Sequence, residues 1–291
     1  MGQLYRSIKR VEDLMNTEIY VHINLLPMDV GVQGLYIAEP TSSVYADYKS
    51  YVSLFLETTG ADLICVDKYP FFPREFSFNA NYYSTYKVLA EACNEYGAEF
   101  GFVLQSYTSV NVRKVSQEEM NLQMNAALAF GAKEISFFTY VPKPIEVTED
   151  VYDYSFIDLQ GNKTEVYDYA KNAIADAKAV ERLLADYDYR GSAISENSSE
   201  VEFKNDTFAR LTYAATEWTL ITESYNERTD SYLYTVVGAD LKATSTVTMT
   251  FTGCTKAYVV VDGVGKTVNL TNGEYTVDLA LGEVIYIIPL A

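Results

Sequence analysis

The sequence predicts an α/β fold: a partial TIM-type barrel, about half of one, made of some four parallel βα units and followed by an antiparallel β-sandwich. Three observations carry this expectation. Apolar, β-branched segments recur at 18–26 (EIYVHINLL), 61–67 (ADLICVD), 99–105 (EFGFVLQ) and 133–140 (KEISFFTY), roughly 35 to 45 residues apart. Each is followed by a stretch with helical periodicity, which is the rhythm of strands joined by crossover helices. Beyond Gly191 the long periodic stretches give way to short alternating runs separated by Gly, Asn and Asp turns. The expected division is a barrel domain over 1–190 and a sandwich over 191–291.

In chain order, residues 3–16 read as an amphipathic helix, with Leu4, Ile8, Val11 and Leu14 at helical spacing. The first strand stops at Pro27, and a polar loop leads to a helix that carries Tyr45, Tyr48, Val52, Phe55 and Leu56 and ends at Gly60. After the second strand, an aromatic and proline-rich loop over 69–78 precedes a helix over 81–96 terminated by Gly97. The third strand leads to a helix over 116–130, opened by Ser116 with Glu119 three residues on and stopped at Gly131. The fourth strand is followed by a loop with Pro142 and Pro144, then by a helix over 163–187. Seven strands are expected behind it, at 218–223, 231–237, 246–251, 257–261, 267–270, 275–279 and 284–288. The run GVGKT at 263–267 superficially resembles a phosphate-binding loop. The first glycine of that motif would fall on Val260, and the segment reads as a hairpin rather than a strand-to-helix turn.

Composition narrows the function. The chain has 291 residues, 48% of them hydrophobic, enough for sizeable cores. With 22 Lys and Arg against 40 Asp and Glu the net charge is −18, and such a surface repels phosphate backbones, so no nucleic-acid partner is expected. No window reaches the roughly 18 consecutive apolar residues of a membrane span, and MGQLYRSIKR lacks the apolar core of a signal peptide. A soluble protein without a membrane partner is expected. Whether a longer form is periplasmic or extracellular is left open. Cys65, Cys93 and Cys254 form neither a disulfide framework nor a metal-ligand spacing and read as buried thiols. His22 is the single histidine; within an apolar strand it reads as a hydrogen-bonded structural side chain. No metal or cofactor is expected. The 26 tyrosines are unusual: rings with a polar tip suit sugar-binding clefts, though many would simply fill a core.

In barrels and open parallel sheets, ligands sit at the carboxyl ends of the strands. The candidate site residues are therefore Asn24, Asp67, Lys68, Tyr69, Phe71, Gln105, Tyr107 and Tyr140. The rings of Tyr69, Phe71, Phe72, Tyr107 and Tyr140 suit stacking on a pyranose. Asp67 has two readings, a catalytic base or a residue that fixes its loop or binds a sugar hydroxyl. Glu75 is a further acid within reach of the same face.

The runs EFGFVLQSYTSVN (99–111) and NLQMNAALAFGAKEISFFTY (121–140) resemble the strand-seven to strand-eight region of family 42-like glycoside hydrolases, the β-galactosidase type of (β/α)8 barrel. INLLP (23–27) and DLICVDKYPF (62–71) are similar to strands five and six of related barrels from carbohydrate-degrading gut bacteria, and 157–184 to the closing segment and last helix. The resemblance covers about residues 5–190. It implies a bacterial, carbohydrate-acting protein with two departures. Retaining enzymes of this type use two carboxyl groups about 5–5.5 Å apart, and the first, after strand four, has no counterpart in this chain. The second, the nucleophile at the end of strand seven, corresponds to Gln105, whose amide cannot form a glycosyl ester. The expectation is a protein that acts on or binds carbohydrate and is impaired as a catalyst, the alternative being a non-catalytic carbohydrate-binding or structural interaction protein. A half barrel leaves open sheet edges, so a homo-oligomer, or association with a separate N-terminal barrel half, is expected as well.

Overall fold

The computed structural model describes residues 2–17, 21–29, 36–73, 81–142, 154–194 and 205–290. The leading part runs α1 (Gly2–Met15), β1 (Asn24–Leu25), α2 (Val44–Thr59), β2 (Leu63–Asp67), α3 (Tyr82–Tyr96), β3 (Glu99–Gln105), α4 (Gln117–Ala129), β4 (Glu134–Phe138) and α5 (Glu165–Leu184). Its four strands are all parallel and lie in chain order, β1-β2-β3-β4. That singly wound order is the one a barrel wall has; a doubly wound sheet would reverse it.

Local chemistry explains where the elements stop. The Ser43 side chain accepts from the Ala46 N–H at the start of α2, and Ser116 and Glu119 form a reciprocal capping box on α4. Gly60 and Gly97 close α2 and α3 in the left-handed conformation that glycine adopts without penalty. The strand expected at 18–26 is shorter: residues 18–20 lie outside the description, and only Asn24 and Leu25 form the ladder. An edge strand has a partner on one side only, and Pro27, which has no N–H to donate, follows two residues later. Helix α1 forms as expected, yet Val11 and Leu14 on its apolar stripe stay exposed. Tyr5 is its buried anchor, and its hydroxyl donates to Asp62 at 2.9 Å.

Register sorts the strand side chains into two faces, because the side-chain period is two. Phe100, Phe102 and Leu104 of β3 turn to the helices, where Phe102 stacks on Tyr86 with ring centroids 4.0 Å apart. Gly101, Val103 and Gln105 turn to the other face, in register with Cys65 and Asp67 on β2 and with Glu134, Ser136 and Phe138 on β4. This second face is concave. His22 and Glu134 start from opposite sheet edges, about 14 Å apart across three flat strand spacings, and their side chains meet at 3.0 Å. Gly101 makes the crossing feasible, since a Cβ there would lie 2.9 Å from the Glu134 Cβ.

The second part comprises β5 (Asp188–Ile194), β6 (Leu211–Ala215), β7 (Thr219–Asn226), β8 (Ser231–Gly238), β9 (Ser245–Phe251), β10 (Lys256–Val261), β11 (Val264–Asn269), β12 (Glu274–Leu279) and β13 (Val284–Leu290). They form a six-stranded sheet, β11-β10-β13-β8-β7-β5, and a three-stranded sheet, β12-β9-β6, with all strand pairs antiparallel. The core between them contains Ile221, Tyr234 and Val236 from one sheet and Val247, Met249 and Phe251 from the other, so the unit is a sandwich. GVGKT is the expected hairpin, turning at Asp262 and Gly263 with φ of 49° and 72°. Sequence reading missed β5, whose alternation is broken by a bulge between Tyr189 and Gly191, and β6, a short alanine-containing run.

The two parts share a core. Buried Ile194, Leu220, Val237 and Ala239 of the antiparallel part join one cluster with the residues of α3, α4 and the parallel sheet. The turn before β13 is pressed onto α4: Asn125 donates to the Gly282 carbonyl at 2.9 Å, and Gly282 has φ of 77°. A Cβ at Gly282 would sit 2.2 Å from the Glu118 carbonyl oxygen. Gly282→Ala is therefore expected to lower stability by about 2–4 kcal/mol through overpacking and left-handed strain, measured as the urea unfolding free energy. An unchanged midpoint would mean that the turn does not dock on α4.

Candidate functional site

The carboxyl ends of β2, β3 and β4 are Asp67, Gln105 and Phe138. At the edge, Asn24 donates its side-chain N–H to the Asp67 carboxylate at 2.7 Å, which holds both side chains on the concave face. Two residues past the strand ends, Tyr69 and Tyr107 come together with Phe138. Tyr107 meets Tyr69 edge-on at 5.1 Å and Phe138 edge-on at 5.2 Å, and Tyr69 lies nearly parallel to Phe138 at 6.0 Å. Tyr107 is buried, whereas Tyr69 and Phe138 are half-buried. The Asp67–Asn24 pair and this aromatic group lie on one face at the end of the sheet where ligands of parallel folds bind.

Gln105 occupies the same face but is fully buried, and its amide is used at both ends. The side-chain oxygen accepts from the Phe71 N–H at 3.2 Å, and the side-chain N–H donates to the Arg113 carbonyl at 2.7 Å. Its backbone is bracketed by Gln123, which accepts from the Gln105 N–H at 2.7 Å and donates to its carbonyl at 3.2 Å. Gln105 thus ties together the loops that follow β2 and β3. A carboxylate accepts only and cannot serve both partners. Gln105 is a loop clamp here, not a group presented to a substrate.

Two more sequence candidates are drawn into the scaffold. Lys68 is buried, donating to the Met28 carbonyl at 2.5 Å and pairing with Asp29 at 3.1 Å, so it fastens the loop after β1. Phe71 belongs to the core with no exposed surface, its ring lying 5.1 Å from the Arg113 guanidinium, which in turn pairs with Glu119. Tyr140 is 58% exposed and rests edge-on against Phe156 at 6.0 Å. Phe156 also contacts Phe137, which faces the helices, so Tyr140 stands apart from Asn24, Asp67 and Gln105. Phe72 is at the surface, and Glu75 lies outside the described residues.

Sequence reading passed over Phe138, Glu134 and Ser136. Glu134 accepts from Ser136 at 3.2 Å and meets His22 Nδ1 at 3.0 Å, placing a polar group at the amino-terminal end of the concave face. Alternation within EISFF was the available signal, since Glu134, Ser136 and Phe138 share one parity. Cys65 lies beside them, and burial pushes its thiol up to about 12, so it stays protonated and unreactive at neutral pH. Among the described residues no three His, Cys, Asp or Glu side chains gather as a metal site, and no helix is long and apolar enough to cross a membrane.

No protein-family model matches the chain, and no curated protein matches it at a significant level. Solved structures similar to it include glycoside hydrolases. One is a GH30 endoxylanase from Clostridium papyrosolvens, with a TM-score of 0.39 and 10% identity over 100% of this chain and 70% of that one. Another is a GH27 β-L-arabinopyranosidase from Geobacillus stearothermophilus, with a TM-score of 0.37 and 11% identity over 97% and 77%. A family 39 glycoside hydrolase from the gut symbiont Bacteroides cellulosilyticus has a TM-score of 0.41 and 10% identity over 83% and 46%. Likeness at this level carries no argument about chemistry, which rests on the residues of the concave face.

Gln105→Glu tests the clamp. It sets a carboxylate oxygen against the Arg113 carbonyl and should cost about 1–3 kcal/mol at pH 7. Burial and the facing carbonyl raise the pKa of the introduced carboxyl in the folded state. The loss is therefore full where pH exceeds that raised value, shrinks as pH falls from it toward the unfolded value of about 4.3, and is smallest below 4.3, where the acid is protonated in both states and can donate again. Urea unfolding at pH 4 and pH 7 measures the difference; a variant as stable as the wild type at pH 7 would discard the clamp.

Proposed function

We propose that the protein is a carbohydrate-binding relative of the (β/α)8 glycoside hydrolases that holds a saccharide on its concave face without hydrolysing it. The observation that carries this reading is the convergence of Tyr69, Tyr107 and Phe138 with the Asp67–Asn24 pair at the carboxyl ends of the strands. A pyranose has one apolar C–H face and a rim of hydroxyls. Half-buried rings next to a carboxylate and an amide match that division, the rings taking the C–H face and Asp67 accepting from the hydroxyls. The Asn24 amide oxygen is an acceptor for a neighbouring hydroxyl, while its N–H stays on Asp67.

The absence of hydrolysis follows from the clamp. The position that the sequence resemblance aligns with the nucleophile is a buried amide bonded at both ends. Two-carboxylate hydrolysis requires an acid and a second carboxyl group, about 5–5.5 Å apart for retention or about 6.5–9.5 Å for inversion. Asp67 is bonded to Asn24, and Glu134 is bonded to His22 and Ser136 at the other end of the strands.

Thermal shift and calorimetry with a panel of galactosides, xylosides and arabinosides test the reading. A saccharide at a hundred times its Kd should add about 2.7 kcal/mol of stability. Tyr69→Ala and Asp67→Asn should each weaken binding about tenfold, and nitrophenyl glycosides should not be turned over. Turnover abolished by Asp67→Asn would replace binding with catalysis, and a panel without any stabilising sugar would leave a structural role.

A further inference from the structure

A second cleft opens at the amino-terminal end of the parallel sheet, where the ends of α4 and α5 face the six-stranded sheet. It has a volume of about 400 Å³, within the range of small-molecule sites. Helix α4 contributes Leu128 and Ala129, α5 contributes Glu181 and Leu184, and the antiparallel part supplies Ser224 of β7 and Thr235 of β8. Both helices end at this cleft, so the partial negative charges of two helix carboxyl termini lie beside it.

Its floor is polar where packing calls for apolar groups. With a side-chain period of two, Ser224 shares the face of Leu220, and Thr235 that of Leu233. Leu220 belongs to the core shared with α3 and α4, and Leu233 packs with Val180 of α5, so this face is turned to the helices. Ser224 is 8% exposed and Thr235 1%, and neither hydroxyl has a hydrogen-bond partner among the described residues. The neighbouring Thr222 Oγ1 is unpaired but sealed, whereas Ser224 and Thr235 open onto the cleft. Buried hydroxyls that face a cavity without a protein partner leave polar contacts for a ligand to make.

The rim carries both signs of charge. Lys133, just before β4, and Glu99, at the start of β3, come from the parallel sheet, and Glu181 comes from α5. All three are exposed, and none has an ion-pair partner among the described residues. A cation and a carboxylate that line one cleft without reaching each other leave room for a molecule that bears both charges. Between them the surface is aliphatic, with Leu128 and Leu184.

A free ammonium group suits Glu181 and the two helix ends, a carboxylate suits Lys133, and each can share a hydrogen bond with a floor hydroxyl. We propose that this cleft binds a zwitterionic α-amino acid with an aliphatic side chain. Its carboxylate meets Lys133 and the Ser224 hydroxyl, its ammonium meets Glu181 and the Thr235 hydroxyl, and its side chain lies along Leu128 and Leu184. The site is separate from the concave face and does not depend on saccharide binding there.

Calorimetric titration of the full chain with L-leucine at about 0.15 M salt, where long-range attraction is screened, tests this. The wild type should bind with one saturable site. Leucine stripped of its carboxylate, 3-methylbutylamine, and leucine stripped of its amine, 4-methylpentanoate, should each bind at least about tenfold more weakly. Ser224→Ala combined with Thr235→Val should weaken leucine binding about tenfold while leaving the ligand-free melting temperature unchanged or higher, because both hydroxyls are unpaired in the free protein. Lys133→Gln should weaken it about fivefold, whereas Lys171→Gln, the same charge change on an exposed α5 residue away from the cleft, should have no effect. The site is overturned by the absence of saturable heat, by binding of the amine or the acid as tightly as leucine, by equal weakening in Lys171→Gln, by wild-type affinity in the Ser224/Thr235 variant, or by a fall in that variant's ligand-free melting temperature.

Discussion

Helices α3 and α4 have a sheet on either side, and the rest of the architecture follows from that constraint. In a barrel wall the outer helix faces meet water or neighbouring helices; here the antiparallel part lies over them. Helix α3 is buried continuously from Tyr82 to Ala90, so its polar residues must find partners inside. The Lys87 ammonium, almost wholly enclosed, lies between Asp206, from the segment before β6, and Glu91 one turn along. Lys49 of α2 meets the same Glu91 at 3.0 Å. One buried cation thus joins the parallel and antiparallel parts, and an enclosed charge that lost its partner would cost about 3–5 kcal/mol.

The same double coverage shapes the concave face. With its helix side committed to packing, the parallel sheet has only its inner side left for chemistry, and parallel register places Asn24, Asp67, Gln105 and Phe138 there. Position, however, does not make a residue available. Gln105 lies at the carboxyl end of the central strand, and its amide is consumed by two loop contacts that hold Phe71 and Arg113 in place. Those loops bracket the aromatic group, so Gln105 positions the surface above it.

Acidity is distributed rather than uniform. On the helix side of the molecule, carboxylates are matched by lysines, as in the Lys49–Glu91 and Lys114–Glu165 pairs. Around the cleft where the Gly263 and Gly282 turns meet α5 and α4 no lysine or arginine lines the wall; there Asp262 takes a left-handed backbone and Gly263 fits against Ala179.

Much of the fold was legible in the sequence. Strand β3 spans residues 99–105 as read, the capping box on α4 was written in Ser116 and Glu119, and Gly60 and Gly97 marked the ends of their helices. These are local matters of periodicity, caps and backbone freedom, decided within a few residues. The candidate site was legible only in outline. Asp67, Tyr69 and Tyr107 were placed by their nearness to strand ends, but Lys68, Phe71 and Gln105 are equally near and are bonded into the scaffold, while Tyr140 leans on Phe156 at the helix side. The sequence by itself determined the four parallel strand segments and which end of their sheet carries the loops, though not β5 or β6. Tertiary structure alone decided which of those loop side chains face a ligand, because that depends on partners such as Met28, Arg113 and Phe156, whose approach is set by packing across the whole chain.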